Sequence, residues 1–504
     1  MKKEELDILI KYLNKTLEGL YGDANKRAIE SLRQISLENS FHFIKEDELP
    51  KPDEINEKNR NEVHRILVDK VNIIVEKMKE ILSEEEKVYF FKNLKQIGIA
   101  NIQNLNKQMK EIKELPDEWS RALVIQLCRD ENRKIELLPC LTMIGPIASV
   151  IKNIKDKDKK TEALIKAYEF LNNGKDNKKA VDISSRKYKE LGIPKDMMVG
   201  IEIEAEDKNN IFTRLVKEIG FLQDYEVKDE MYDDIGVEIV SPKISDNDKR
   251  VEQIYEILKI MQTCGFEATA NCGAHVHIGA DYLQTLEEYQ ELLEIFGNSE
   301  KILYLISNQE GELPRDDVNI YAPSFSRDIQ NNDWNQKEKD EFIIDAQRIQ
   351  RQNGEEDKKN HSINLSNINV NNNKNTIEFR LSNGTLNPNI WIENIRLYGR
   401  IMQISHEIGK IKSKLKNGEK ITEYQFERLK IKAKLKKAIT DDEKMETLME
   451  LLFNEEERAV YDKRYQVNSE LAKREKWFEN AGLSFGTVDI SDDMLEIAEN
   501  DRIL

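Results

Sequence analysis

The sequence predicts an α+β protein: one sheet of short strands, covered by helices on its apolar side, between two wholly helical regions. Three observations predict it. Between about Pro194 and Arg400, four stretches alternate apolar and ionisable residues with the period of two expected of half-buried strands. The first 190 residues repeat apolar side chains at three- and four-residue spacing, the period of helices. From Ser405 onward the chain is again helical in pattern and rich in charge. The expected division is a helical N-terminal domain over 1–190, a strand-bearing domain over 191–404 and a helical C-terminal region over 405–504.

At 504 residues the chain is long enough for two to four domains, each with its own core. Charged residues make up 34% against 39% hydrophobic and only 10 are Pro, a composition that suits a helix-rich soluble protein. A net charge of -17 opposes non-specific attraction to nucleic-acid phosphates and anionic membranes, so neither is expected as a partner. No apolar run is long enough to cross a bilayer, and the opening M-K-K-E-E-L-D-I-L-I-K breaks its apolar residues with charges, unlike a signal peptide. The cysteines, Cys128, Cys140, Cys264 and Cys272, are too sparse for a disulfide framework, and the expected compartment is a reducing cytoplasm.

In the N-terminal region, Leu6, Leu9, Leu13, Leu17 and Leu20 mark one helix face, and Val68, Val71, Ile74, Val75 and Met78 another. Breaks are expected at Tyr21-Gly22-Asp23, Leu49-Pro50-Lys51-Pro52, Gly98 and Leu115-Pro116-Asp117. A bundle of this kind serves equally as a domain with no ligand of its own or as a recognition surface for a protein partner. The polar run Asn172 to Lys179 is the expected linker.

The strands then follow in order. In V-G-I-E-I-E-A-E, residues Val199, Ile201, Ile203 and Ala205 share one face while Glu202, Glu204 and Glu206 share the other. Carboxylates two residues apart on a strand stand roughly 6.8 Å from each other and raise each other's pKa unless a cation neutralises them. By itself this stretch reads first as an edge strand with a solvated acidic face, and only in company as a metal site. An amphipathic helix near Asn210 to Ile219 and an Asp-rich loop, Asp224 to Asp234, lead to G-V-E-I-V-S-P, where Val237 and Ile239 oppose Glu238. A helix bearing Val251, Ile254, Tyr255, Leu258 and Met261 ends near Gly265. In C-G-A-H-V-H-I-G, His275 and His277 share one face, and both a structural hydrogen-bonded pair and a ligand pair fit. A long helix near Leu286 to Ile306 precedes an irregular region with Arg315, Tyr321 and Arg327, a polar insert Asn353 to Asn360, a short strand Ser362 to Leu365 and an Asn-rich turn Asn371 to Asn375. In T-I-E-F-R-L-S, Ile377, Phe379 and Leu381 face a core while Glu378 and Arg380 share the polar face. Asn387-Pro388-Asn389 opens the next long helix. The basic run within Lys410 to Lys437 is expected to be a solvated helix face, and the acidic tail Asp489 to Asp501 a surface helix or disordered.

If the four strands are neighbours, their ionisable faces line one surface that offers carboxylates, imidazoles and a guanidinium. Hard carboxylate oxygens suit Mg2+ or Mn2+, and two such ions bridging phosphate oxygens would neutralise the charge of ATP. Arg380 then either pairs with Glu378 at the surface or donates two hydrogen bonds to a transferred phosphoryl group. Zinc fits less well. Cys272-x-x-His275-x-His277 lacks a second Cys/His cluster, and no H-E-x-x-H helix, G-x-x-x-x-G-K-[ST] loop or G-x-S-x-G elbow is present.

Taken in order, G-x-E-x-E, G-V-E-I-V-S-P, G-A-H-V-H-I-G and I-E-F-R resemble the amidoligases of the glutamine synthetase and glutamate-cysteine ligase superfamily. The closing segment I-E-F-R-L-S-N-G-T-L-N-P-N-I-W is similar to the glutamine synthetase stretch in which an E-x-R strand is followed by an N-P helix start. The resemblance covers roughly Lys195 to Arg400. It implies a glutamine synthetase-like catalytic domain, a curved antiparallel sheet with helices on its outer face, and ATP-dependent joining of a carboxylate to an amine through an acyl phosphate. It places the metal ligands at Glu202, Glu204, Glu238, His275 and Glu378, and His277 and Arg380 at the nucleotide, with Glu202, Glu378 and Arg380 as the catalytic residues. Glu206 has no counterpart in the pattern. Arg315, Tyr321 and Arg327 are the candidates for a substrate pocket. Many amidoligases carry a D-x-S element before the second motif, where this chain has Asp229-Glu230-Met231-Tyr232-Asp233. The same superfamily contains phosphagen kinases, so a phosphotransferase is one alternative, and a helical interaction protein with an inactive metal-binding centre is another.

Overall fold

In the computed structural model of the protein, six strands among the described residues form one antiparallel sheet in the order β2-β3-β1-β4-β6-β5. They are β1 (Val199–Glu206), β2 (Glu226–Asp229), β3 (Gly236–Val240), β4 (Gly273–Gly279), β5 (Ile363–Asn364) and β6 (Thr376–Asn383). The structure describes residues 3–500 apart from 22–24, 38–43, 57–58, 172–186, 208–209, 220–224, 230–235, 330–337, 353–360, 369–374 and 492–493. The expected linker at 172–179, the polar insert at 353–360, the turn at 371–374 and the stretch 230–233 lie outside the described residues.

All four alternating stretches are strands, because only that conformation buries every second residue. Val199, Ile201, Ile203 and Ala205 are each at most 2% exposed. The edge reading of β1 is overturned: the strand runs between β3 and β4, so its acids face a surface built by neighbours on both sides. In place of part of the expected Asp-rich loop stands β2, whose E-V-K-D has a single apolar residue and therefore no alternation to read. The irregular region after Ile306 contains short helices at Val318–Tyr321 and Phe325–Ile329 and a longer one at Lys339–Gln352.

The chain forms two compact units, Met1–Asn177 with Asn209–Gln223, and Lys178–Lys208 with Asp224–Leu504. The first is helical. Its helices α1 (Lys3–Tyr21), α2 (Asn25–Leu37) and α3 (Arg60–Ile81) bury the expected leucine and valine faces in one cluster. Two further helices, α4 (Glu118–Gln126) and α5 (Ile144–Asn153), complete the part used below. The expected break at Asp117 is the N-cap of α4, its side chain accepting the Ser120 amide at 2.9 Å. Helix α6 (Ile211–Ile219) arises between β1 and β2, yet it packs on α5 with Leu215, Val216 and Ile219 buried.

In the second unit, α7 (Asp248–Thr263), α8 (Leu286–Ile306) and α9 (Pro388–Lys416) accompany the sheet, with α8 and α9 on its apolar face. Asn387 caps α9 and Pro388 occupies its first turn, as the sequence requires. Phe379 of β6 stacks on Tyr398 of α9 with ring centroids 4.5 Å apart and lies 5.9 Å from Phe296 of α8. Phe379→Ala is expected to destabilise this unit by about 3–5 kcal/mol, read from the shift of its denaturant midpoint; a change below ~1 kcal/mol would mean that the sheet does not dock through this ring.

The helices α10 (Glu423–Lys437), α11 (Asp441–Leu452) and α12 (Glu455–Glu475) pack onto α8. Here the solvated-face reading of the basic run is corrected, because Lys412 and Lys432 are each 2% exposed. Lys412 pairs with Glu291, and Lys432 pairs with Glu294 and stands 3.2 Å from Glu291. Both acids lie on α8 with no exposed surface. The acidic tail expected over Asp489 to Asp501 is corrected at its start, which is docked: Val488 just before it is fully buried, the Ser491 amide and hydroxyl bond Glu294, and the helix Leu495–Asn500 buries Ala498. The four cysteines are buried and joined in no disulfide. Among the described residues no helix is long and apolar enough to cross a membrane.

Candidate active site

Register brings the ionisable residues together. Glu204 of β1 stands opposite Glu238 of β3, Glu202 opposite His275 of β4, and His277 opposite Glu378 of β6. Directly opposed residues project to the same side with Cβ atoms roughly 4.5–5.5 Å apart, so six ionisable side chains from four strands share one patch. His275 is at its centre: its Nδ1 is 3.4 Å from Glu202, 3.5 Å from Glu378 and 3.6 Å from Glu204. His277 Nε2 lies 3.2 Å from Glu202 and 3.9 Å from Glu378. The register slips between Ala274 and Val276, so Arg380 and Leu381 together oppose His275. Arg380 Nη1 donates to Glu378 and lies 3.4 Å from His275 Nδ1. The Arg380–Glu378 pair is thus not the exposed surface bridge that sequence allowed; Glu378 is only 3% exposed.

The charges compensate one another. Burial alone would raise the Glu202 carboxyl, but His275 and His277 outweigh it and hold the group well below the usual carboxylate range. Glu378 is also held down, with burial opposed first by Arg380 and then by the two imidazoles. Burial, followed by the Glu202 charge, pushes Glu238 up, only partly offset by Lys228. His277 is raised because Glu202 and Glu378 overcome its burial.

Four supporting residues escaped the sequence reading. Asn364 of β5, 1% exposed, donates from Nδ2 to Glu378 Oε2 at 2.8 Å and leaves Oε1 toward Arg380 and the imidazoles. The alternation of Ser362 and Asn364 with Ile363 and Leu365 was the signal that could have found it. Lys228 donates to Glu238 at 3.3 Å from the unforeseen β2, and Thr376 lies 3.3 Å from His277 Nδ1. Gly273 gives its amide to Glu204 at 2.5 Å, and a Cβ there would stand 2.6 Å from His275 Nε2, so the close approach requires glycine.

The three pocket candidates separate. Arg315 is 7% exposed, donates to the Asn271 carbonyl at 3.2 Å and lies 4.7 Å over the Tyr321 ring. Burial lowers its pKa against the pull of Glu204. Tyr321 is 41% exposed, and its carbonyl accepts from Arg380 Nε at 3.5 Å. Both therefore flank the patch. Arg327 turns instead to Asp328 at 2.8 Å, and Asp328 is bonded to His361. Glu206 accepts from Thr269 at the far end of β1.

A divalent cation fits this donor set. Ligand atoms of Glu202, His277 and Glu378 all lie within 4.8 Å of one another, close to the roughly 4.2 Å that separates opposite ligands of an octahedral Mg2+. The Nε2 atom of His275 is buried without a hydrogen-bond partner, and that of His277 has only the Glu202 carboxylate at 3.2 Å, so a cation would give both imidazoles a ligand role. His277 completes this triple with Glu202 and Glu378, and His275 adjoins it, its Nδ1 facing three carboxylates.

No curated protein matches the chain, and no solved structure matches it. A family model described as Putative amidoligase enzyme matches residues 174–402, somewhat under half of the chain and inclusive of every strand of the sheet. Every strand that builds the site therefore lies within the segment that matches this ligase-type family model.

Proposed function

We propose that the protein is an ATP- and Mg2+-dependent carboxylate–amine ligase acting on an amino acid, peptide or protein. The observation that carries this reading is the convergence of Glu202, Glu204, Glu238, His275, His277, Glu378 and Arg380 on one face of the sheet, within the family-matched segment. Glu202, Glu378 and His277 hold a divalent ion, and Glu204, Glu238 and His275 complete a two-ion site. Such ions supply charge neutralisation for the phosphates of ATP. Arg380 swings from Glu378 to the phosphoryl group, since a guanidinium that pairs with a carboxylate also matches phosphate oxygens. Arg315, with Tyr321 against it, faces the carboxylate substrate, and the sheet floor excludes water from the acyl phosphate.

In the chemistry, a carboxylate oxygen attacks the γ-phosphorus and ADP leaves. The amine nitrogen then attacks the acyl carbon, phosphate leaves with the former carboxylate oxygen, and the nitrogen loses a proton. Product masses test this. Joining two molecules with net loss of water supports ligation, whereas a product heavier by a phosphate group would replace the reading with a kinase. The cation is tested without turnover: saturating Mg2+ is expected to stabilise the sheet-bearing unit by RT ln(1 + [Mg2+]/Kd), about 2.7 kcal/mol at a hundredfold excess over Kd. An unfolding midpoint indifferent to Mg2+ would remove the metal site.

A further inference from the structure

The helical unit contains a cavity of about 650 Å³, within the range of small-molecule sites, and none of its lining belongs to the sheet. Three features of its wall point to a ligand. Its floor is a half-buried hydrogen-bond chain with a fixed direction: Ser149 donates to the Pro146 carbonyl at 2.7 Å, Gln126 Nε2 donates to Ser149 at 3.0 Å, and Gln126 Oε1 accepts from His64 Nε2 at 2.9 Å. Gln126 is 3% exposed, so its amide is held in place between Ser149 and His64. At the mouth, Trp119 is 47% exposed, an unusual position for the largest apolar side chain, with Gly145 beside its ring.

The third feature is charge. Arg60 from the start of α3 and Lys152 from the end of α5 both line the cavity. Arg60 is near enough to act on both Lys152 and His64. Burial first, and the Arg60 charge in addition, lower His64, while Lys152 is lowered by burial and by Arg60 against the opposing Glu218. In a chain of net charge -17, two cations and an imidazole brought together beside one acid make a local positive site.

We propose that this cavity binds a small planar anion, a ring bearing a phosphate or a carboxylate group, with the ring against Trp119 and the anionic group between Arg60 and Lys152. Stacking on indole and charge-assisted hydrogen bonding to guanidinium and ammonium each account for one half of the wall. The His64–Gln126–Ser149 chain offers fixed polar groups to ring substituents. The inference does not depend on the ligase reading, because no residue of the cavity lies among the acids and imidazoles of the sheet.

The test is calorimetry on the full-length chain with four probes: AMP and benzoate as ring-bearing anions, inorganic phosphate and acetate as their ring-free counterparts. At least one ring-bearing anion is expected to bind with Kd below ~1 mM, at least tenfold tighter than its ring-free counterpart; which of the two binds tells phosphate from carboxylate. Trp119→Ala and Lys152→Glu are each expected to weaken that binding at least tenfold, with unchanged circular dichroism showing that both variants fold. Glu378→Gln is expected to leave it unaltered. The proposal is overturned if neither ring-bearing anion binds, if the ring-free counterparts bind as tightly, if both cavity substitutions leave Kd unchanged, or if Glu378→Gln abolishes binding and so moves the ligand to the sheet.

Discussion

Glu202→Gln and Glu378→Gln are each expected to lower ATP-dependent turnover by roughly 10²–10³-fold, the scale of losing one preorganised electrostatic group in a buried site. Both carboxyls are held ionised, Glu202 by the two imidazoles and Glu378 by Arg380 and the imidazoles, so the neutral isostere removes a full negative charge and little else. The Glu378 variant carries a second effect. Arg380 loses its anion in a buried position, and its guanidinium is no longer aligned beside His275. ADP release measured in a coupled assay, with circular dichroism as control for folding, reads the result. Wild-type turnover in both variants would falsify the site.

Lys432→Met is expected to destabilise the sheet-bearing unit by about 3–5 kcal/mol, because it strips a buried cation from two buried carboxylates while keeping the volume of the stem. Lys432 bonds Glu294 and lies near Glu291; Lys436 is 3.7 Å from Glu294 and more exposed, so it cannot replace the lost charge. The loss depends on pH with a definite sign. Burial tends to raise the Glu294 carboxyl, but Lys432 and Lys436 hold it below its ordinary value of about 4.5. A carboxyl depressed on folding contributes stability that is present above that ordinary value and lost as pH falls through the folded-state one. The difference between variant and wild type is therefore expected to be largest at neutral pH and to narrow in acid. Denaturant unfolding at pH 7 and pH 4 measures it, and a gap that widens in acid would mean that the network does not carry its charge.

Alternation made the face legible before any coordinates. Glu202, Glu204, Glu238, His275, His277, Glu378 and Arg380 are on one side of the sheet because Ile201, Ile203, Val237, Ile239, Val276, Ile278, Ile377 and Phe379 must be on the other. What alternation does not carry is which strands are neighbours, and hence that β1 is interior, or that a slip of register aims Arg380 at His275. Nor does it reach strands too short or too polar to alternate, which hid Lys228 and Asn364. The lysines of α9 and α10 were misjudged for a different reason. Composition counts a charge as solvated until its partner is found, and the partners here are Glu291 and Glu294, two fully buried acids three residues apart on α8. That three-residue spacing on α8 was the unused signal. The cavity of the helical unit draws its wall from five separated segments, which no local pattern announces.

The placement of α6 bears on how the chain is made and how it can be cut. Because Ile211–Ile219 leaves the strand-bearing portion to finish the helical one, synthesis must proceed past β1 before the N-terminal body can close, leaving α5 uncovered on the ribosome until then. Truncation near residue 190 would strand Leu215, Val216 and Ile219 as a greasy stripe on one fragment and open a matching scar on the other. Clean dissection requires excising 209–223 and rejoining it to the first fragment with a short tether.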